Sequence, residues 1–248
     1  MKRMVFLALM IASAASAASV KPSIVLVHGA FADASSWSKV IPILQKDGYY
    51  VTAVQIPLTS LPDDVATTKR VIDAQKGPIV VVGHSYAGMV ITDAAAGNSN
   101  VKSLVYVDAF APDAGEVAGN VGVNFPPAPL ATALVPDAAG FLYVDRAKVH
   151  DVFAKDMPEA DARIIAVTQK PVNSSVFAAK VTNVAWKTTP SWFIIGTEDR
   201  AINPDLLRFY AKRMKAKTTE IKGASHVPFL SHPREVTKVI EEASRATQ

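Results

Sequence analysis

After residue 20 the chain alternates between short runs rich in β-branched and apolar residues and longer amphipathic stretches in which apolar side chains recur every three or four positions. The short runs are Ile24–Val27, Tyr50–Gln55, Ile79–Val82, Leu104–Val107, Trp192–Ile195 and Thr218–Ile221. Several are apolar throughout, as strands covered on both faces of a parallel sheet must be. The longer stretches predict helices over about 36–46, 64–76, 87–96, 204–215 and 233–245. Gly48 stands where a helix would end in a left-handed residue, and Asn203-Pro204 supplies an N-cap followed by a first helical residue. Regular strand–helix alternation predicts an α/β fold, a mainly parallel sheet with helices on both faces.

From about residue 113 to 190 the alternation stops. No convincing strand is visible there, only helical patches near 145–156 and 158–170, and Pro126, Pro127, Pro129 and Pro136 punctuate the first half. Long insertions in compact α/β domains are usually functional. This one is read as a helical lid over the C-terminal edge of the sheet, where open α/β sheets bind ligands; a helical subdomain without a role in binding is the alternative.

The first residues follow another logic. Lys2 and Arg3 precede the apolar run Met4–Ile11 and the small-residue stretch Ala12–Ala18, which contains Ala15-Ser16-Ala17. This order predicts a cleaved signal peptide over residues 1–18 and a periplasmic or secreted domain over residues 19–248. The apolar run is too short for a stable membrane span. The chain has no cysteine, so export brings no disulfide and stability must come from the core. Its formal net charge of +4 falls to about +2 without Lys2 and Arg3. The remaining basic residues are scattered, and the short cluster at Lys212–Lys217 reads as a solvated helix end rather than a nucleic-acid surface.

Chemistry concentrates at the ends of the predicted strands. Ile79-Val-Val-Val-Gly83-His84-Ser85-Tyr86-Ala87-Gly88 runs from strand to helix through a serine flanked by small residues, the arrangement of a nucleophile elbow. Ser85 must then occupy a strained backbone position, where bulk at 83 or 87 would collide with the turn. Ala87 departs mildly from the glycine usual there, and Gly88 follows at once. A serine hydroxyl needs a base and an acid to orient that base. Asp199 follows the strand Trp192–Ile195 in Gly196-Thr-Glu-Asp199, and His226 follows Thr218–Ile221 in Gly223-Ala-Ser-His226. All three residues are thereby expected at one sheet edge. Asp108, just after Leu104–Val107, is the rival acid, more readily read as a structural hydrogen-bonding residue. Among the other histidines, His28 is expected to tie its own loop together. The backbone N–H groups of Ala30 and Tyr86 are the candidate oxyanion donors.

With these segments the chain resembles the α/β-hydrolase superfamily across essentially everything after residue 20, and within it the compact branch of plant methylesterases, hydroxynitrile lyases and small bacterial esterases. Val25-Leu-Val-His-Gly-Ala30, Val82-Gly-His-Ser85, Gly196-Thr-Glu-Asp199 and His226-Val-Pro-Phe-Leu-Ser-His-Pro233 carry the likeness. It implies a six-stranded sheet. It also separates chemistries: the lyases of the branch place threonine and lysine where this chain has Gly29 and Val227, and dehalogenases and epoxide hydrolases carry aspartate in place of Ser85. Hydrolysis of a small or medium carboxylic ester is therefore expected. A small-molecule receptor that retains a slow triad is the alternative, since the fold includes such proteins. Phe31, Tyr86, Phe110, Phe125, Phe141, Phe153 and Phe177 are the candidate substrate-lining residues. No metal or organic cofactor is implied, because there is no cysteine cluster or closely spaced histidine pair. The expected partner is a small-molecule ester, and the oligomeric state is not legible.

Overall fold

A computed structural model describes residues 21–246; the predicted signal segment, residues 1–18, lies outside them. The first half of the chain builds β1 (Ser23–Val27), α1 (Ile41–Lys46), β2 (Val51–Val54), α2 (Leu61–Asp73), β3 (Ile79–His84), α3 (Ala87–Ala94) and β4 (Val101–Val107). The insertion contributes α4 (Ala118–Gly122), β5 (Leu134–Pro136), β6 (Phe141–Val144), α5 (Val149–Val152), α6 (Glu159–Thr168) and β7 (Val172–Asn173). The chain then completes the domain with β8 (Ser191–Gly196), α7 (Pro204–Arg213), β9 (Lys217–Ile221), α8 (Pro228–Ser231) and α9 (Pro233–Arg245).

Six strands form one sheet in the order β2-β1-β3-β4-β8-β9, every neighbouring pair parallel. All residues of β1, β3 and β8 are buried, which accounts for their unbroken apolar runs, whereas β9 at the edge exposes Lys217, Thr218 and Glu220. The six predicted strands are these six. The helices follow the predicted order with shifted ends. Residues 34–37 form a separate 3-10 turn before α1, and α2 begins at Leu61 because Ser60 caps it, its Oγ accepting from the Asp63 N–H. Gly48 takes φ +79° after α1, and Asn203 caps α7 by accepting from the Asp205 N–H at 2.8 Å. Helix α9 packs on β3, β4 and β8 with Val236, Val239, Ile240 and Ala243 buried at helical spacing. Burial of each valine or isoleucine contributes about 1.5–3 kcal/mol.

The insertion differs from its expected all-helical character. Strands β5, β6 and β7 form a small antiparallel sheet, and the helix expected over 145–156 is only the single turn of α5. The β5–β6 hairpin is closed by Asp137, whose carboxylate accepts the N–H groups of Ala139 and Phe141 while Gly140 turns with φ +82°. Strands of two to four residues are too short to set up a detectable period. The insertion is fastened where strands end. Asn173 N–H donates to Leu58 O beyond β2, Leu130 N–H to Arg200 O beyond β8, and Asn203 Nδ2 to Pro126 O. It therefore lies over the C-terminal edge of the sheet, as a lid would.

Candidate active site

Ser85 follows β3 directly, with φ +54°. Its N–H donates to Val107 O, and its carbonyl accepts from Gly88 N–H at 3.0 Å and Phe110 N–H at 3.1 Å, so the turn is pinned from both sides. The left-handed conformation of a non-glycine residue is strained, by on the order of 1–3 kcal/mol, and here it lifts the hydroxyl out of the sheet. The tight neighbours are not wholly those expected. A Cβ at Gly83 would meet Ala87 O at 2.8 Å, while a Cβ at Gly88 would lie 2.1 Å from Phe110 O. Ala87 is fully buried and fits. The requirement for glycine has moved one position along, from 87 to 88.

The structure brings Ser85, His226 and Asp199 together. His226 Nε2 stands 2.9 Å from Ser85 Oγ, and its Nδ1 is 2.7 Å from Asp199 Oδ2. All three are buried. Asp199 is itself oriented, its Oδ1 accepting the N–H groups of Ala201 and Ile202 at 2.7 and 3.0 Å. That leaves Oδ2 for the imidazole. Among the described residues the one His/Cys/Asp/Glu group close enough to share an ion is Asp108, Asp199 and His226, and the His226–Asp199 bond accounts for most of that closeness.

Three contacts that support the site were not anticipated. His84 Nε2 lies 2.8 Å from the backbone carbonyl of His226 and holds that residue's main chain. Burial pushes its pKa well below the ordinary histidine value, so the ring is neutral and Nε2 carries the donated proton. From the insertion, Asp156 accepts a hydrogen bond from Ser225 Oγ, next to His226, and its other oxygen is 3.4 Å from His232 Nδ1. From α2, buried Asp64 accepts the Tyr86 hydroxyl and the N–H of Leu58, each at 2.7 Å. Burial raises the Asp64 pKa above the usual carboxylate range. No local motif marks any of these pairs; the partners are joined only by the fold.

His28 closes its loop as expected. Its Nε2 accepts the Ile56 N–H at 3.2 Å, and Nδ1 is 2.9 Å from Gly29 O. Burial lowers its pKa from 6.5 to about 4. The native ring therefore stays neutral between those pH values while the unfolded chain takes up a proton, and stability falls as pH drops through that window. The contribution is on the order of 3 kcal/mol. His28→Gln should give a shallower fall of the urea midpoint from pH 6.5 to 4 than the unmutated protein; parallel curves would contradict the assignment.

In front of Ser85 lies a cavity of about 160 Å³, lined by Ala30, Phe31, Phe110, Phe153 and Phe177 together with Leu130, Ala131, Leu134, Ala201 and Ile202. Across Phe110, Leu134, Phe177 and Ile202 it adjoins a wider cavity of about 320 Å³, which Phe125 and Pro126–Ala128 help to line. Among the described residues no charged side chain lines either one. Five of the expected phenylalanines are thus placed here. Phe141 is not: it closes the β5–β6 hairpin and borders neither cavity. The Tyr86 side chain is likewise withdrawn, drawn by Asp64 into a fully buried position. Leu130, Ala131, Leu134, Ala201 and Ile202 were not anticipated. Of these, Ala201 and Ile202 could have been, because an aspartate at a loop start commonly gathers the next two or three N–H groups.

Sheet order, strained serine and buried relay together define an α/β-hydrolase. Residues 24–239 match the alpha/beta hydrolase family, and the chain belongs to it. It is similar to the alpha/beta hydrolase nvfD of Aspergillus novofumigatus, 28% identical over 91% of this chain and 97% of that protein. Methylesterase 7 of Arabidopsis thaliana is 26% identical, over 88% of this chain and 94% of its own length. Among solved structures, polyneuridine aldehyde esterase superimposes with a TM-score of 0.78 at 20% identity, covering 91% of this chain and all of that one.

Proposed function

We propose that the chain is an exported serine hydrolase that cleaves small or medium neutral carboxylic esters through an acyl-enzyme on Ser85. The observation that carries this reading is the Ser85–His226–Asp199 relay opening onto a cavity with no charged wall. Esterases among the relatives and among the proteins of similar fold support it.

Ser85 Oγ attacks the ester carbonyl while His226 Nε2 takes its proton, and Asp199 stabilises the imidazolium that results. The oxyanion is met by the N–H groups of Ala30 and Tyr86. Tyr86 opens α3, where the first amides have no partner within the helix. Each such donor lowers the barrier by about 3–4 kcal/mol. His226 then returns the proton to the leaving alcohol, activates a water, and frees the acid. Two observations favour hydrolysis over the lyase chemistry of the same branch. A Cβ at Gly29 would stand 2.8 Å from both Ser85 Cβ and His84 Nδ1, so a threonine has no room there. Val227 is buried and apolar where the lyases present a cation.

The test is turnover of p-nitrophenyl acetate and butyrate with an initial burst, together with covalent labelling by a fluorophosphonate probe. Both are expected. A protein that neither turns over nor labels, yet gains melting temperature with small apolar ligands, would be a receptor instead.

A further inference from the structure

We propose that Asp108 is a second orienting acid for His226, a positioning residue that stands beside Asp199 and can take its place at the imidazole Nδ1. The proposal rests on reading Ser85, His226 and Asp199 as a hydrolytic relay. Asp108 directly follows β4 with φ +42°, and it is fully buried. Its Oδ1 accepts the N–H of Gly196 at 2.6 Å, which ties the end of β4 to the end of β8, just before the loop that bears Asp199. That structural bond needs one oxygen only. Asp108 Oδ2 is buried without a hydrogen-bond partner among the described residues. A buried carboxyl oxygen is costly to leave unpaired, and sites that keep one usually have a use for it.

The surroundings identify that use. A carboxylate oxygen of Asp108, one of Asp199 and a ring nitrogen of His226 all lie within 4.8 Å of one another. The charged and titratable groups acting on this spot are Asp199 from the loop after β8, Asp156 from the lid and His226 from the loop after β9. Two carboxylates so close and so buried cannot both carry charge. Burial, and then the charge of Asp199, hold the Asp108 carboxyl well above the usual carboxylate range. In the resting enzyme Asp108 is therefore held as the neutral carboxyl. Once Asp199 is made neutral the repulsion disappears, and the imidazolium formed during attack offers an opposite charge close by. Asp108 then gives its proton to solvent and turns its free oxygen to Nδ1.

The experiment is a double-mutant cycle on kcat/KM for one ester, read across pH. Asp199→Asn is expected to lower activity about 10²-fold and Asp108→Asn several-fold, while the pair falls about 10⁴-fold, the loss seen when a triad histidine has no carboxylate at all. Removing Asp108 thus costs far more once Asp199 is gone. In Asp199→Asn the acid limb of the profile should also move to higher pH, because Asp108 must now ionise, and that movement should vanish in the double variant. A purely structural Asp108 would cost the same factor in both backgrounds and leave the acid limb in place, which would overturn the proposal. Should Asp108→Asn fail to fold, a crystal structure of Asp199→Ala reads the same point: Asp108 Oδ2 is expected about 3 Å from His226 Nδ1, and an Asp108 still turned away would overturn it. An unmutated protein without any turnover would instead overturn the esterase reading, and the crystallographic comparison would still decide on Asp108.

Discussion

Ser85→Ala is expected to lower kcat by about 10⁶-fold, as removal of the nucleophile does in unrelated triad enzymes, and to abolish fluorophosphonate labelling. The fold should survive. Ser85 is pinned by its backbone, through Val107, Gly88 and Phe110, and its side chain contributes only the bond to His226. Alanine keeps the same left-handed strain, so the urea midpoint should stay close to that of the unmutated protein. Residual hydrolysis would still exceed the spontaneous rate, because the amides of Ala30 and Tyr86 remain and bind the oxyanion. If more than about a hundredth of the activity survived, the nucleophile would have to be sought elsewhere in the cleft.

The second large effect is on stability. Gly88→Ala places a methyl group 2.1 Å from the carbonyl oxygen of Phe110 and 2.8 Å from the Ala109 side chain. Backbone stands on both sides of the clash, so no rotamer change relieves it. Overpacking of a fully buried site typically costs 1–3 kcal/mol, and more where the obstacle is main chain. A loss of about 3 kcal/mol or more is expected, read as a lower urea midpoint with an unchanged m-value. The neighbouring change gives the contrast. Ala87→Gly should cost only about 1 kcal/mol, the helix-propensity difference, because Ala87 already fits where it stands. Equal losses at the two positions would mean that the elbow is not packed against Phe110 as described.

These two positions show what the sequence could and could not reveal. That small residues must flank Ser85 was legible from the strand-to-helix passage alone. Which of them had to be glycine was not, because the obstacle at 88 is the backbone after β4, which lies beside β3 only once the sheet has formed. The inner strands of the main sheet were legible for a related reason: burial on both faces leaves apolar runs in them, as in Ile79–Val82. Asp199 and His226 could be found because each follows a strand of that sheet on a short loop.

Legibility ended in the insertion. Leu134–Pro136, Phe141–Val144 and Val172–Asn173 are strands only because they find each other. Their lengths fall below what alternation can register. Helix α5 stops after one turn since the chain bends at Ala154–Met157, a bend that carries Asp156 to Ser225. Phe141 was misassigned on the same account, a turn-closing residue read as a pocket wall. Nothing local marks Asp64 or Asp156, since a carboxylate's burial depends on partners supplied by distant segments.

Ser85 and His226 touch across a separation of 141 positions, and the histidine arrives on the loop after the last strand of the sheet. Closing a loop that long takes several kcal/mol of chain entropy before any contact repays it, so the two cannot meet until the intervening polypeptide has docked. A nascent or prematurely terminated protein lacking that final stretch would hold an alcohol with no proton acceptor beside it. Competence is thereby an all-or-nothing property of the finished molecule, and its recovery during refolding offers a timer for the last docking event.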